Sequence, residues 1–248
     1  MFTQWLKRGM LAGAIVLGLE TAYAVLRPAP DLDSFDPSGE FGDPSRPTLK
    51  IAVLGDSSVT APGVGGPEDI WVSRVCQRLA EAYHVVLKSF AVGGAMAHDL
   101  TTEQLPRALE FDADLVFVSV GANDAIKAIP LRVFERNLDY LIHRLASTGA
   151  IVVQSGVGDL GSIPRLYPPL RNLMSRRAFR FDRAHWRVAK RHGTTVVDQR
   201  SDDLTVWYER PDLWADDLFH VSSHGHERWA ETTWRSISHL LERLREPA

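Results

Sequence analysis

Short aliphatic runs that alternate with helix-like segments constrain the fold of this chain more than any other feature of its sequence. The aliphatic runs occupy residues 49–54, 85–92, 114–120, 150–154 and 194–197, and the helix-like segments occupy residues 67–82, 100–110, 131–147, 169–191 and 223–244. Aliphatic strands that alternate with helices are typical of a parallel sheet covered by helices on both faces. The sequence therefore predicts a three-layer α/β/α fold with a central parallel five-stranded sheet.

Residues 1–27 differ in character from the rest of the chain. A basic pair at residues 7–8 precedes an apolar stretch over residues 9–26 that only Glu20 interrupts, and an Ala-Tyr-Ala pattern stands at residues 22–24. These features are typical of a secretory signal peptide, and the length of the apolar stretch also suits an N-terminal membrane anchor. Both interpretations predict an exported protein, secreted or membrane-anchored and facing the cell envelope. A helix packed on the domain is the third interpretation.

The remaining chain divides into a linker and one domain. Residues 28–47 are rich in Pro, Asp, Ser and Gly and predict a linker, so the domain is assigned to residues 48–248. With 45% hydrophobic and 24% charged residues, the composition is that of a folded globular protein. The net charge of −3 gives no global attraction to nucleic acid, and the single cysteine, Cys76, excludes both an intramolecular disulfide framework and a cysteine-rich zinc module.

Glycine and polar residues follow the first three predicted strands directly. The sequence reads Gly-Asp-Ser-Ser at residues 55–58, Gly-Gly at residues 93–94 and Gly-Ala-Asn-Asp at residues 121–124, and Asp-Asp-Leu-Phe-His at residues 216–220 precedes the last helix. Each segment alone is ordinary turn chemistry. In a parallel sheet, however, the carboxyl ends of the strands meet at one edge, where ligands bind. The four segments together therefore predict a single site.

This ordered set resembles the SGNH (GDSL-type) hydrolases, and the resemblance covers residues 49–244. It implies a flavodoxin-like sheet, a nucleophilic serine in the first segment, oxyanion donors in the second and third, and a carboxylate and an imidazole in the last. Carried over to this chain, these residues are Ser57, Gly94, Asn123, Asp217 and His220. The chain departs from the family at residues 90–92, where Phe-Ala-Val replaces the asparagine that often precedes the glycine.

The residue types suit acyl transfer on chemical grounds as well. A serine hydroxyl becomes a useful nucleophile when an imidazole removes its proton, and a carboxylate orients that imidazole. Asp217 and His220 are three residues apart, so one turn can hold both on the same side. The N–H groups of Ser57 and Gly94 and the amide of Asn123 are neutral donors suited to the charge of a tetrahedral intermediate.

Neighbouring residues offer alternatives for three of these roles. Ser58 is the alternative nucleophile, Asp216 the alternative carboxylate and Gly93 the alternative backbone donor. His220 and His224 have the i, i+4 spacing of metal ligands, but no further ligand pattern accompanies them. The sequence therefore predicts neither a metal nor an organic cofactor.

A basic segment lies outside these motifs. Residues 165–191 contain eight Arg and one Lys but only one acidic residue, Asp182. A solvated helix face explains such a run, and contact with anionic lipid headgroups or an anionic envelope polymer is the alternative.

The predicted function is that of a serine hydrolase that cleaves a carboxylic ester through a Ser-His-Asp triad and an acyl-enzyme. The ester is an acyl- or acetyl-ester of a lipid or carbohydrate, and the loops at residues 63–66 and 156–167 are expected to shape its site. An acyltransferase with the same triad and a non-catalytic binding module are the alternatives. The predicted partners are a small-molecule, lipid or glycan ester and a membrane contacted through residues 9–26, with no nucleic acid. The oligomeric state stays open.

Overall fold

The computed structural model describes residues 2–201 and 204–240, and within these residues the chain forms one six-stranded sheet with helices on both faces. The strands are β1 (Gly39–Phe41), β2 (Thr48–Gly55), β3 (His84–Ser89), β4 (Leu115–Ser119), β5 (Ile151–Ser155) and β6 (Thr195–Val197). The α-helices are α1 (Phe2–Leu26), α2 (Ser57–Thr60), α3 (Trp71–Leu79), α4 (Ala97–Asp99), α5 (Leu105–Phe111), α6 (Ala122–Ile126), α7 (Leu131–Ala146), α8 (Leu170–His192), α9 (Thr205–Glu209) and α10 (Ser223–Ile237). A π-helical turn (Leu100–Gln104) joins α4 to α5. The predicted end of the last helix, residues 241–244, lies outside the described residues.

The sheet confirms the five predicted parallel strands and adds a sixth. Its strand order is β1-β3-β2-β4-β5-β6, and the pairs among β2 to β6 are all parallel. The prediction of five strands was wrong by one, because β1 pairs with β3 in the antiparallel sense and comes from the predicted linker. A three-residue edge strand with the sequence Gly-Glu-Phe carries no aliphatic run, so its sequence gives no strand signal.

Alternating side chains on the central strands build a hydrophobic core on each face of the sheet. On β2, Ala52 and Leu54 face one core, whereas Ile51 and Val53 face the other. The first core is covered by α5, α7 and α8, and the second by α3 and α10. Side chains that alternate between two buried faces are the property of a sheet covered on both sides. The three predicted layers are thus confirmed.

The N-terminal helix α1 contacts the domain at the beginning of α8. The Glu20 Oε2 atom accepts a hydrogen bond of 2.9 Å from the Leu170 N–H, and the rings of Tyr23 and Tyr167 lie 6.0 Å apart. Apolar side chains elsewhere on α1 are exposed, for example Leu19. Within residues 2–201 and 204–240, no helix combines the length and the apolar character that crossing a bilayer requires. The signal peptide or anchor at residues 1–27 stays a prediction.

Candidate active site

A cleft at the carboxyl ends of β2, β4 and β5 collects most of the predicted site residues. It encloses about 1060 Å³, with the solvent at its mouth included, and is lined by Ser57, Asn123 and His220. Aromatic side chains form much of the remaining wall: Trp71, Trp207, Trp214, Phe219 and Trp229. Of the two predicted loops, the one after β5 contributes Val157 to the wall, whereas residues 63–66 do not line the cleft. The cleft thus lies where the parallel sheet was expected to bind its ligand.

A tight turn after β2 places Ser57 at the cleft. A Cβ atom on Gly55 would lie 2.8 Å from both Ser119 O and Val59 Cγ2, so this approach of backbone to backbone requires glycine. Asp56 then caps α2, because its Oδ1 atom accepts a hydrogen bond of 2.9 Å from the Ser58 N–H. Ser57 is the first residue of α2 and is half-buried. Within the described residues, its hydroxyl makes no hydrogen bond.

The alternative nucleophile, Ser58, has its hydroxyl engaged elsewhere. The Oγ atoms of Ser58 and Ser119 lie 2.7 Å apart and share a hydrogen bond. The Ser58 carbonyl also accepts a hydrogen bond from the Trp71 indole, at 3.0 Å. Of the two adjacent serines, Ser57 therefore carries the hydroxyl that is free to react.

His220 is oriented by Asp217, as expected from their spacing. The His220 Nδ1 atom lies 2.6 Å from Asp217 Oδ2, and the Asp217 Oδ1 atom accepts the backbone N–H groups of Phe219 and His220 at 2.9 Å each. Because an ionised carboxylate can only accept hydrogen bonds, the Nδ1 atom of His220 carries the proton. The Nε2 atom of His220 is then the free basic nitrogen. The alternative carboxylate, Asp216, is exposed and makes no hydrogen bond to His220 within the described residues.

The environment of Asp217 keeps its carboxylate charged. Burial by itself raises the pKa of the Asp217 carboxyl, but hydrogen bonds from the His220 ring and from the N–H groups of His220 and Phe219 outweigh burial and lower this pKa below its ordinary value. Asp217 therefore stays ionised at neutral pH, and a carboxylate in this position can stabilise a positive charge on the His220 ring.

Ser57 and His220 line the same cleft but are not hydrogen-bonded to each other within the part of the chain that the structure describes. Hydrogen bonds between catalytic groups are often long before substrate binds and shorten afterwards. The arrangement therefore suits proton transfer from Ser57 to His220 once a substrate fills the cleft.

Asn123 lies at the beginning of α6 with both hydrogens of its amide engaged. The Nδ2 atom donates to Asp56 Oδ2 and to Ala95 O, at 3.1 Å each. These bonds tie the segment after β4 to the Asp56 cap and to the turn that contains Gly94. For Asn123 to donate a hydrogen bond to an oxyanion, one of its two amide hydrogens must leave its present acceptor or form a bifurcated hydrogen bond.

Gly94, unlike Ser57, Asn123 and His220, does not line the cleft. Gly93 and Gly94 form the centre of an exposed turn that is closed by the Ala95 N–H to Val92 O hydrogen bond. The φ angle of Gly94 is +79°, which glycine adopts without strain at this position of a turn. The Gly94 carbonyl accepts a hydrogen bond from Lys127 Nζ at 3.1 Å. The oxyanion role of Gly94 stays a prediction.

Gln104 supports the site, and the sequence analysis missed it. This residue ends the π-helical turn, is only 1% exposed and pairs with the Gly55 backbone through two hydrogen bonds of 2.9 Å. Its amide thus holds the end of β2 two residues before Ser57. A glutamine within a helix-like run gives no signal of such a contact, because the partner is 49 residues away in the sequence.

Replacement of Gln104 by leucine is expected to lower the free energy of unfolding. The change leaves the buried Gly55 N–H without an acceptor, which costs about 1–3 kcal/mol. Urea denaturation measures the effect, and Gln77→Leu on the exposed side of α3 is the matched control, with an expected change below about 0.5 kcal/mol. Equal losses of unfolding free energy in the two variants would contradict a special role for the hydrogen bonds between the Gln104 amide and the Gly55 backbone.

The histidines near His220 are structural in this arrangement. His226 is buried in the cleft wall, its Nδ1 atom accepts the Trp71 N–H at 3.2 Å, and burial lowers its pKa to about 3. His226 is therefore neutral at physiological pH. His224 is exposed and lies 3.5 Å from Asp212. Within the described residues, no group of three or more His, Cys, Asp or Glu side chains is placed to hold a metal ion.

The carboxylates of Asp56 and Asp124 accept hydrogen bonds from backbone N–H groups. The Asp124 Oδ2 atom accepts the Ala97 N–H at 3.0 Å. Burial raises the pKa of Asp56, and burial also raises the pKa of Asp124 from 3.8 to about 6. Because the folded chain holds a proton on Asp124 more tightly than the unfolded chain, the free energy of unfolding falls as the pH rises from about 4 to about 6.

An Asp124→Asn variant is expected to be more stable than the parent chain at pH 7. Asparagine keeps an acceptor for the Ala97 N–H but carries no charge, so we expect a gain of about 1–3 kcal/mol at pH 7 and little change near pH 4. Urea denaturation at the two pH values measures the difference. Asp99→Asn is the matched control, because the Asp99 carboxylate accepts the Met96 N–H in the same region. The same gain in both variants would contradict this account of Asp124.

Comparison with known proteins shows what this chain is similar to in sequence. Residues 53–228 match the sequence model of the GDSL-like Lipase/Acylhydrolase family. An arylesterase from Vibrio mimicus is 32% identical over 114 residues, which cover 44% of this chain and 54% of that protein, so the chain spans about half the length of this relative.

Solved structures share the fold at lower identity. The psychrotrophic esterase EstA from Pseudoalteromonas sp. is 20% identical with a TM-score of 0.61, and the match covers 78% of this chain and 98% of that one. The acetylxylan esterase Axe2 from Geobacillus stearothermophilus is 17% identical with a TM-score of 0.62, and the match covers 77% of this chain and 95% of that one. At these identities the similarity establishes the fold, and it confirms the predicted α/β/α architecture.

Proposed function

Because this chain belongs to the GDSL-like lipase/acylhydrolase family, and thereby to the SGNH-type carboxylic ester hydrolases, we propose that it cleaves an ester through an acyl-enzyme on Ser57. The observation that carries the proposal is the hydrogen bond of 2.6 Å between Asp217 and His220, because His220 lines the same cleft as Ser57. A histidine oriented in this way has its second nitrogen free to act as a base.

The reaction takes place in two steps. In the first, Ser57 Oγ attacks the ester carbonyl carbon while His220 Nε2 accepts the hydroxyl proton, and the alcohol leaves with that proton. In the second, water attacks the acyl-enzyme, His220 accepts a proton from the water and returns it to Ser57 Oγ, and the carboxylic acid leaves. In both steps, the N–H groups of Ser57 and Gly94 and the amide of Asn123 stabilise the oxyanion.

The aromatic wall supports an ester with a short acyl group and a flat or ring-shaped alcohol. Trp207 lies against Trp214 and Trp229, with ring centroids 5.7 Å and 6.1 Å away, so these three rings form one aromatic part of the cleft wall. Aromatic faces bind aryl groups and the apolar faces of sugars. Within the predicted range of lipid and carbohydrate esters, this favours acetyl esters of carbohydrates or aryl alcohols. The names arylesterase and acetylxylan esterase, borne by similar proteins, agree with that choice.

A panel of p-nitrophenyl esters from acetyl to palmitoyl tests the substrate class. We expect kcat/KM to fall steadily as the acyl chain lengthens, and a maximum at palmitoyl would contradict the short-acyl proposal.

Product analysis with and without a hydroxyl acceptor, glycerol or a sugar, separates a hydrolase from an acyltransferase. Labelling by a fluorophosphonate probe separates both enzymes from a non-catalytic binding module. Such a probe is apt because the Pseudoalteromonas esterase structure is one inhibited by monoethylphosphonate.

We also propose that residues 1–27 direct the protein to the cell envelope, as a cleaved signal peptide or as a membrane anchor. The small-residue pattern at residues 22–24 and the exposed apolar side chains of α1, such as Leu26, support export or anchoring. N-terminal sequencing of the native protein distinguishes the two. A mature chain that begins near Val25 supports cleavage, and an intact Met1 contradicts it.

A further inference from the structure

The outer face of α8 carries one continuous stripe of exposed side chains in which apolar and basic residues alternate. We define the α8 stripe as Leu173, Arg176, Phe179, Arg183, Trp186 and Lys190. The intervals between these residues are three or four, so all six lie on the same side of the helix. The stripe spans 18 residues, and the rise along the helix axis from Leu173 to Lys190 is about 26 Å.

The apolar members of the stripe are unusually exposed. Leu173, Phe179 and Trp186 are 47%, 51% and 47% exposed, respectively, and Phe179 has the guanidinium of Arg200 5.7 Å from its ring centroid. A helix face that only needs to stay in water gains nothing from a phenylalanine and a tryptophan one heptad apart. Exposed aromatic residues arranged in this way indicate a surface that is covered by a partner.

The basic members of the stripe have no acidic partner. Arg176, Arg183 and Lys190 make no ion pair or hydrogen bond through their side chains within the described residues. The other exposed arginines near the end of α8 are paired: Arg187 lies 2.6 Å from Glu135, and Arg191 lies 2.9 Å from Asp139. One side of the helix is therefore neutralised by α7, whereas the stripe keeps its full positive charge.

We propose that the α8 stripe binds the surface of an anionic lipid bilayer. An amphipathic helix that lies on a bilayer places aromatic and aliphatic side chains at the level of the headgroups and places arginine and lysine beside the lipid phosphates. The alternation in the stripe supplies both kinds of contact along the whole helix. Charge complementarity therefore selects anionic lipid over a zwitterionic surface, and the apolar residues select a bilayer over a soluble polyanion.

The position of α1 agrees with the same partner. The hydrogen bond from Leu170 N–H to Glu20 and the contact between Tyr23 and Tyr167 hold α1 at the end of α8 where the stripe begins. The exposed ring of Tyr23 therefore lies near the end of α8 at which the stripe begins. The proposal does not depend on the reaction at Ser57, because none of the stripe residues lines the cleft.

Binding of the full chain to vesicles tests the proposal. Vesicles of phosphatidylcholine with about one third phosphatidylglycerol are compared with pure phosphatidylcholine in a sedimentation assay. We expect Arg176→Gln combined with Arg183→Gln to weaken binding to the anionic vesicles about 25-fold, because each basic residue at the surface contributes about fivefold. The matched control is Arg187→Gln combined with Arg191→Gln, which removes the same charge from the same helix but from paired positions.

The two double variants are expected to differ in their affinity for the anionic vesicles. The control, Arg187→Gln combined with Arg191→Gln, is expected to bind these vesicles within a few-fold of the parent chain. Equal weakening of both variants would show that only net charge matters and would overturn the proposal, as would parent-like binding of the first variant. Contact through α1 is common to all these proteins and cancels in the comparison.

A second measurement tests the apolar part of the stripe. Brominated lipids quench tryptophan fluorescence at the bilayer surface, and we expect Trp186→Phe to lose part of the quenching seen with the parent chain. Equal quenching in both proteins would overturn the proposal. So would binding to a DNA duplex as tight as binding to the anionic vesicles at the same salt concentration, because a soluble polyanion offers no apolar contact.

Discussion

Ser57→Ala is expected to lower kcat for ester hydrolysis by about 10⁴- to 10⁶-fold, the range found when a serine hydrolase loses its nucleophile. Without the Ser57 hydroxyl no acyl-enzyme forms, so the fluorophosphonate probe is also expected to leave the variant unlabelled. Initial rates with p-nitrophenyl acetate and gel detection of the probe measure the two effects.

Ser58→Ala is the matched control for the nucleophile. It removes the same atom one residue away, where the hydroxyl is engaged with Ser119. We expect kcat to stay within about tenfold of the parent chain, because no transition-state contact is lost. A loss in Ser58→Ala as large as that in Ser57→Ala would contradict the assignment of the nucleophile.

The adjacent carboxylates Asp216 and Asp217 can be compared by the same pair of substitutions at neighbouring residues. Asp217→Asn replaces the acceptor that fixes the His220 ring, and loss of the correct tautomer lowers kcat by about 10⁴-fold. Asp216→Asn changes an exposed neighbour and is expected to leave kcat unchanged. A large loss in Asp216→Asn alone would exchange the roles of the two carboxylates.

The parts of the fold that were predictable are those with an extended local signal. Short runs rich in aliphatic residues identify buried parallel strands, because a strand covered on both faces is apolar at most of its positions. The edge strand β1 has no such run, since it is short and borders solvent. Its pairing with β3 depends on backbone hydrogen bonds, which any sequence can form.

The clustering of three predicted site residues could be expected for a different reason. Ser57, Asn123 and His220 are far apart in the sequence, but the ends of parallel strands and the last loop meet at one edge of the sheet. Gln104 and His226 could not be found in this way, because their roles depend on contacts with Gly55 and Trp71 that no local pattern encodes. The same limit applies to Gly94, because the orientation of its exposed turn relative to the cleft depends on contacts far away in the sequence.

Asn123→Ala is expected to lower kcat by about 10²- to 10³-fold with little change in KM, which is the effect of removing one oxyanion donor. The structure adds a competing explanation, because the Asn123 amide also holds Asp56 and the Ala95 carbonyl. A purely structural role would disturb the position of Ser57 and lower the free energy of unfolding, without a specific effect on the transition state.

Gln104→Leu separates the two explanations for Asn123, because Gln104 also holds the backbone beside Ser57 but does not line the cleft. Both variants lose hydrogen bonds that position the nucleophile, whereas only Asn123→Ala loses a group that can touch the oxyanion. We expect the kcat of Asn123→Ala to fall at least tenfold further than that of Gln104→Leu, and its rate of phosphonylation by the probe to fall in proportion, since the phosphonate oxygen occupies the oxyanion position. If the two variants lose the same kcat at the same loss of stability, Asn123 positions Ser57 and does not contact the oxyanion.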